Sequence, residues 1–411
     1  MELASDVGPV PLNVGALLVL DAPAGGPQAL ADAVAARAGR VPRLGQRLTR
    51  PRTPGQRPHW EPAATDRRGQ VAVEPCPAPG DRDALEAHAV RLLLQPLERD
   101  APLWRATVVT HLPGGHLALV LVLHHVLADG IGGLAVLAAL ADAPPPAPAP
   151  VAAPEPGARP GSPAPRPSLR SASRELGGAR PRAAPATSLN RPTGPRRAIV
   201  TATVDLAPLR AAAHASGATV NDLLLVATTG AAAQVLAGRG EFPSALVVSV
   251  PVSARPGTGA GELGNQVGVM PVWVPLGEGR ARRLAAVAAA TSRQRGGQGR
   301  GTSAVLVGPA FRVLAAAGLL RAFVDRQRLV NLFLTNLRGP AEPLAIAGAR
   351  VVDAVPLTGT QGNVGLAFAA LSYAGRLTVT ALLDPDVVPE RRVLRQALQH
   401  ELDAAVALGS A

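Results

Sequence analysis

The chain of 411 residues contains no lysine; all 41 of its basic side chains are arginine. Combined with the abundance of alanine, glycine and proline, that absence has the look of codon bias in a high-GC genome. Cys76 is the single cysteine, which excludes a disulfide framework and a cysteine zinc site and fits a reducing compartment. Aromatic residues make up only 2% of the chain, so the core must be built from Ala, Val and Leu. No aromatics interleave with the dispersed arginines to form a base-stacking platform, so nucleic acid is the weakest candidate partner and is not expected.

Long uninterrupted apolar runs are also missing. The stretch 116–142 is broken by His124, His125 and Asp129, and the stretch 303–323 by Pro309, Arg312 and Arg321. Neither has the composition of a membrane-spanning helix. No basic region precedes an apolar one at the N-terminus, so no signal peptide is expected. The expected location is cytoplasmic, with any membrane contact peripheral. The net charge of +12 is compatible with an anionic membrane surface or an anionic substrate. An arginine-biased solvated surface accounts for part of it.

Length and patterning point to two packed halves. The first opens on the strand-like "VPLNVGALLVLD", followed by helical spacing to about Gly39 and a second helix in "RDALEAHAVRLLLQPL". "WRATVVTHL" and "HLALVLVLHH" form two strands around a Pro-Gly-Gly turn, and "GGLAVLAALADA" a short helix. Residues 143–196 are Pro-rich and low in complexity, hence a linker, with a brief helix in "SLRSASRELGG". The expected domains are therefore 1–142 and 197–411. In the second, strands are expected at "RAIVTATVDL", "SALVVSVPVSAR", "NQVGVMPVWVPL", "LVNLFLTNLRGP", "VGLAFAALSYAG" and "RLTVTALLD". Helices are expected at "APLRAAAHASG", "TVNDLLLVATTGAAAQVLA" and "PERRVLRQALQHELDAAVAL". The fold class is α+β (mixed α/β), a mixed sheet covered by helices in each half.

Chemistry concentrates in "LVLHHVLADGIGG", residues 121–133. Side chains alternate along a strand, so His124 and His125 are expected on opposite sides if both belong to it. That geometry argues against one shared metal ion, and no third ligand stands at familiar spacing, so no metal is expected. A neutral imidazole can instead take a proton from a hydroxyl or thiol. Asp129 would organise the loop, and Gly130 would supply a sharp turn before the helix. No G-x-S-x-G elbow is present and Cys76 has no nearby base, so a covalent nucleophile is unsupported.

"HHVLADG" fits H-H-x-x-x-D-G and resembles the signature of the CoA-dependent acyltransferase superfamily, which includes chloramphenicol acetyltransferase and peptide-synthetase condensation domains. Eight segments sharpen the resemblance to the bacterial wax ester synthase/diacylglycerol acyltransferase family. They are "PLNVGALLVLD", "PLERDAPLWRATVV", "LNRPTGPRR", "TVNDLLLVA", "VSVPVSAR", "LGNQVGVMPV", "TNLRGP" and "LSYAGRLTVTALLDPD", in that order. The resemblance implies two chloramphenicol-acetyltransferase-like domains with a tunnel between them. It implies acyl-CoA as donor and diacylglycerol or a long-chain alcohol as acceptor, with no cofactor. His125 would be the general base, His124 and Asp129 structural, and Asn221 part of the active site. A condensation-type enzyme with a carrier-bound donor and a non-catalytic lipid-binding protein are the alternatives. Contact with membrane or lipid bodies would be peripheral.

Other features have plainer readings. "GAGELG" at 259–264 lacks the strand-then-helix setting of a dinucleotide loop. Thr219 and Asp222 form a capping box, which makes Asp222 structural and leaves Asn221 open to substrate. Arg255 is a candidate partner of Asp129 or of CoA phosphates, and Thr335 and Asn336 are candidate lining residues. Tyr373 and Trp104 are expected in the core, and His59, His88, His111, His116, His214 and His400 at the surface.

Overall fold

A computed structural model describes residues 8–49, 58–64, 66–143, 183–253, 267–296, 314 and 317–409. The stretch "SLRSASRELGG", the glycine-rich 259–264 and Arg255 lie outside the described residues.

In the first half, β1 (Asn13–Leu20), β5 (Trp104–Thr110) and β6 (Leu117–His124) alternate with α1 (Gly26–Ala38), α2 (Arg82–Leu94) and α3 (Gly130–Leu140). Two short strands, β2 (Gln46–Thr49) and β3 (His59–Pro62), pair with each other, and β4 (Val71–Pro75) lies beside β5. The second half carries β7 (Ala198–Asp205), α4 (Leu206–Ala215), α5 (Val220–Gly238), β8 (Ala245–Ser253), β9 (Val267–Pro275) and α6 (Arg280–Gly296). It continues with α7 (Leu320–Val324), β10 (Leu332–Arg338), β11 (Ala345–Ile346), β12 (Ala349–Leu357), β13 (Leu366–Tyr373), β14 (Arg376–Leu383) and α8 (Arg391–Ala407).

Two six-stranded sheets result, and both are mixed. The second runs β7-β14-β13-β10-β8-β9, with β10 parallel to β13 and to β8 and its other pairs antiparallel. The first runs β11-β12-β1-β6-β5-β4. Its edge pair therefore comes from residues 345–357 of the second half. β12 lies antiparallel to β1, with Leu17 opposite Val355 and Gly15 opposite Leu357. β12 is a strand that patterning along the sequence does not single out. Half of it sits against the second half's own elements, so its apolar positions follow no clean alternation.

The linker also ends earlier than composition suggests. Residues 183–196 are packed, with Ala184 and Leu189 buried. Asn190 donates to the carbonyls of Asn331 (3.0 Å) and Asn363 (3.3 Å), so this segment is sewn to the second half. Helix α5 is long and apolar enough to cross a membrane, but most of it is buried against α6 and α8 as a core helix.

The halves meet around a buried carboxylate. Glu86 on α2 accepts from Arg82 Nε (2.8 Å) and from the Thr201 hydroxyl on β7 (2.7 Å). Arg82 reaches Asp353 on β12 (2.6 Å), and Arg395 on α8 reaches Asp83 (2.8 Å) and Glu86 (3.6 Å). The hydrogen bond from Arg395 holds the Asp83 carboxyl below the usual carboxylate range. The buried Glu86 carboxylate gathers Arg82, Arg395 and the Thr201 hydroxyl, so its removal loses all three contacts at once. Glu86→Ala is expected to lower the midpoint of thermal unfolding well beyond Asp83→Ala, whose carboxyl is mostly exposed. Equal midpoints for the two variants would show that Glu86 does not hold the halves together.

Candidate active site

β6 is buried along its whole length, flanked by β1 and β5. Its sequence, LALVLVLH, has no polar residue until the last position, because both faces of the sheet are covered there. One face joins the cluster of Leu18, Leu30 and Leu137, and the other that of Leu17, Leu85 and Val90. The flanking strands hold the end of β6 in place. The His124 amide donates to the Leu103 carbonyl (3.0 Å) and the His125 amide to the Leu12 carbonyl (2.8 Å). The strand then closes into a turn through Leu127 N donating to His124 O (2.8 Å).

His124 is the last strand residue and His125 the first of the turn, so the expected alternation applies only to His124. The two rings are held in different tautomers. The Val126 amide donates to His124 Nδ1 (3.1 Å), so that nitrogen is an acceptor and the neutral ring carries its hydrogen on Nε2. His125 Nδ1 lies 3.2 Å from the Ala128 carbonyl. A carbonyl only accepts, so Nδ1 carries the hydrogen and the basic lone pair of neutral His125 is on Nε2. His124 is buried; His125 is half-buried.

Asp129 has the role of a helix cap. Its Oδ1 accepts from the Gly132 amide (2.8 Å), its main-chain carbonyl from the Gly133 amide (2.8 Å), and it is 2% exposed. Aspartate at this position satisfies an amide that helix geometry leaves open, and its charge suits the positive helix end. Capping thus fixes the distance from the histidine turn to α3. The role of Gly130 differs from the expected sharp turn. Its φ is not in the left-handed region. A β-carbon there would sit 2.5 Å from Cδ2 of Leu337 on β10, so the two halves approach closely at the glycine and a larger residue would have to push the Leu337 side chain aside.

Leu337 brings the TNLRG segment against the histidine turn. Alternation places Thr335 on the same face of β10 as Leu337, half-buried, and puts the exposed Asn336 on the opposite face. Asn221 is in the first turn of α5, half-buried. Beside it the capping box is complete, with Thr219 N donating to Asp222 Oδ2 (2.9 Å) and Asp222 N to Thr219 Oγ1 (3.3 Å). The Thr291 hydroxyl on α6 donates to Asp222 Oδ1 (2.7 Å), which makes Asp222 structural.

Sequence reasoning passed over Asn13, which lies directly opposite His124 in the β1–β6 register. Its amide group donates to the carbonyls of Leu93 (2.8 Å) and Gln95 (3.1 Å), tying the end of α2 to the histidine strand. The signal was there: a lone Asn at the mouth of an apolar strand. His88 was expected at the surface and is buried on α2, 3.4 Å from Glu74. Burial and then Arg91 lower its pKa, against the pull of Glu74. An amphipathic helix turns one face inward, and His88 falls on that face with Leu85 and Leu92. Trp104 and Tyr373 are core residues that also bond: Trp104 Nε1 donates to Leu44 O (2.9 Å), and the Tyr373 hydroxyl to Val351 O (2.9 Å).

Among the described residues, no three His, Cys, Asp or Glu side chains converge as a metal site. Two cavities of about 230 and 380 Å³ lie in the second half, and no residue of the histidine turn lines either.

Two mixed sheets joined by an exchanged strand, with a histidine turn where the halves meet, define the class of two-domain acyltransferases built like chloramphenicol acetyltransferase. Comparison with known proteins agrees. The wax ester synthase/diacylglycerol acyltransferase catalytic domain matches residues 2–179 and 162–224, and the C-terminal domain of that family matches 263–405. A Mycobacterium bovis protein named for diacylglycerol O-acyltransferase activity is 31% identical over 97% of this chain and 92% of its own. A Mycobacterium tuberculosis protein named for the same activity is 31% identical over the same shares. Among solved structures, the wax ester synthase/diacylglycerol acyltransferase of Marinobacter aquaeolei covers 98% of this chain and 96% of its own, with a TM-score of 0.70 at 21% identity. The starter condensation domain of rhizomide synthetase covers 100% and 92%, with a TM-score of 0.64 at 15% identity. This chain belongs to the wax ester synthase/diacylglycerol acyltransferase family.

The contact between Gly130 and Leu337 can be tested by itself. Gly130→Ala is expected to cost a small loss of stability, because the added methyl group meets the far end of the Leu337 side chain, which can turn aside. Leu337→Ala in the same chain should recover part of that loss, as measured by denaturant unfolding of the two single variants and the double variant. Strictly additive effects would show that the two residues do not touch.

Proposed function

We propose that the protein transfers a fatty acyl group from acyl-CoA to the hydroxyl of a diacylglycerol or long-chain alcohol, with His125 as general base. The observation that carries this reading is the tautomer of His125. Because Ala128 O accepts from Nδ1, the lone pair that can take a proton is on Nε2, at the end of a strand held by its neighbours on both sides. Nε2 takes the proton of the acceptor hydroxyl as the oxygen attacks the thioester carbonyl. The tetrahedral intermediate collapses with cleavage of the C–S bond, the ester forms, and the CoA sulfur leaves with the proton returned from the imidazolium. Acyl, proton and thiol balance without an acyl-enzyme and without a cofactor.

In this reading His124 and Asp129 position the base. His124 receives the Val126 amide inside the turn, and Asp129 anchors the turn to α3. Thr335 shares the Leu337 face of β10, which suits a donor to the oxyanion or to substrate. Asn221 and Arg255 are the proposed contacts from the rest of the second half. The acyl chains would lie in an apolar tunnel between the halves, which keeps water from the thioester. The names of the mycobacterial relatives support diacylglycerol as acceptor. The similar starter condensation domain is titled as a complex with C8-CoA, which supports an acyl-CoA donor for this fold. Lipid substrates bring the protein to a membrane or lipid body from the cytoplasmic side.

Purified protein with labelled acyl-CoA and a panel of diacylglycerol, fatty-alcohol and sterol-like acceptors tests the assignment. His125→Ala should lose at least ~10²-fold in transfer rate while its circular dichroism and thermal midpoint stay as in the wild type. Undiminished transfer by this variant would overturn the mechanism.

A further inference from the structure

Among the described residues few large apolar side chains are exposed, and the three most exposed lie in the second half. Phe242 is 80% exposed, Leu319 56% and Leu329 49%. Leu319 and Leu329 bracket residues 317–330, a segment whose inner and outer sides differ sharply. Leu320 is buried, and the Val324 carbonyl accepts from the Asn363 amide (3.1 Å). The Gln327 side chain donates to Asn363 Oδ1 (2.7 Å) and accepts from the Leu329 amide (2.6 Å), and the Arg328 carbonyl accepts from the Ala184 amide (2.8 Å). The backbone is thus fastened to the body at several points. Outward it presents Leu319, Arg321, Ala322, Arg326, Arg328 and Leu329, all exposed. Asp325 is the one acidic residue in the segment, 3.6 Å from Arg321, so the segment keeps a net positive charge. Phe242 follows Glu241, whose carboxylate accepts from the Ser188 amide (2.9 Å), four residues along from the Ala184 amide that donates to Arg328.

Between this segment and residues 184–190 lies the cavity of about 230 Å³, with Arg326, Arg328, Asp325, Thr187 and Asn190 on its wall.

We propose that residues 317–330, with Phe242, form the face by which the protein docks on an anionic lipid bilayer. Leu319, Leu329 and Phe242 enter the interface, and Arg321, Arg326 and Arg328 meet the lipid phosphates. The charge complementarity decides the occupant. Apolar side chains interspersed with arginines on a firmly anchored surface match the headgroup boundary of a bilayer, where apolar area and basic charge both contribute. The proposal rests on the reading that the substrates are lipids and names the surface through which they are met.

Flotation of the full-length protein with vesicles of phosphatidylcholine, and of phosphatidylcholine containing about a third phosphatidylglycerol, tests it. The wild type should float with the anionic vesicles and be released in part by high salt, since salt shortens the reach of the attraction. A triple variant Leu319→Ser, Leu329→Ser, Phe242→Ser and a second triple variant Arg321→Gln, Arg326→Gln, Arg328→Gln should each bind at least about tenfold more weakly; a single basic residue near such a surface contributes about fivefold. A control variant on the far sheet edge, Arg350→Gln with Val352→Ser, should bind as the wild type. All of these side chains are exposed, so the folds are expected to survive, and acyl transfer to a detergent-dispersed short-chain alcohol should be unchanged. Wild-type binding by both triple variants, or no flotation of the wild type on anionic vesicles, overturns the proposal. Absence of acyl transfer in every protein would count against the enzymatic reading and leave the flotation result to decide the surface.

Discussion

β12 carries residues of the second half into the first sheet, and the rest of the architecture depends on that exchange. Paired along β1 from Gly15 to Leu20, it makes the first sheet incomplete without the second half. Two adjacent ties fix its path. The Asp142 carboxylate accepts from the Ala347 and Gly348 amides (2.8 Å each) and pairs with Arg37 (2.5 Å). Burial disfavours that charge, yet the two amides and Arg37 outweigh it and hold the carboxyl below its ordinary range. Arg82 meets Asp353 midway along the strand. With β12 in place, β10 is held where Leu337 touches Gly130, and the histidine turn is confined between the halves.

Within that confinement the geometry of the histidine turn is largely backbone work. Leu103 and Leu12 carbonyls receive the two histidine amides, the Val126 amide fills His124 Nδ1, and the Ala128 carbonyl takes the hydrogen of His125 Nδ1. Backbone groups held in a sheet and a capped helix reorganise little during a reaction, which is the property a positioned base needs. Asn13, opposite His124, extends the same support to the end of α2.

The arginine richness of the composition divides into two populations. One is structural: Arg82 and Arg395 around Glu86, Arg280 and Arg283 on Glu401, and the buried Arg197 beside Asp384 at 3.6 Å. For Arg197, burial lowers the pKa of the guanidinium, while Asp384 works in the opposite direction. The other population is solvent-facing, as at Arg321, Arg326 and Arg328. Net charge alone does not separate them, because a guanidinium clamped between carboxylates contributes little to the outer field.

Patterning by itself determined the elements with a single strong period: the buried β6, the strands β1, β5, β13 and β14, and the helices α2, α3, α5 and α8. It also marked the candidate site, because two histidines, an aspartate and a glycine at the end of an apolar strand keep their order in any fold. The capping role of Asp222 was legible too, since a capping box is a contact within four residues. Tertiary structure decided the rest. It decided where β12 belongs, because a strand completing another half's sheet carries no local mark of its partner. It decided what residue 130 packs against, since Leu337 comes from more than two hundred residues away in the chain. It decided that His88 is buried and which nitrogen of His125 is basic. Each of these depends on a neighbour brought close by folding, and a one-dimensional pattern records spacing along the chain but not proximity across it.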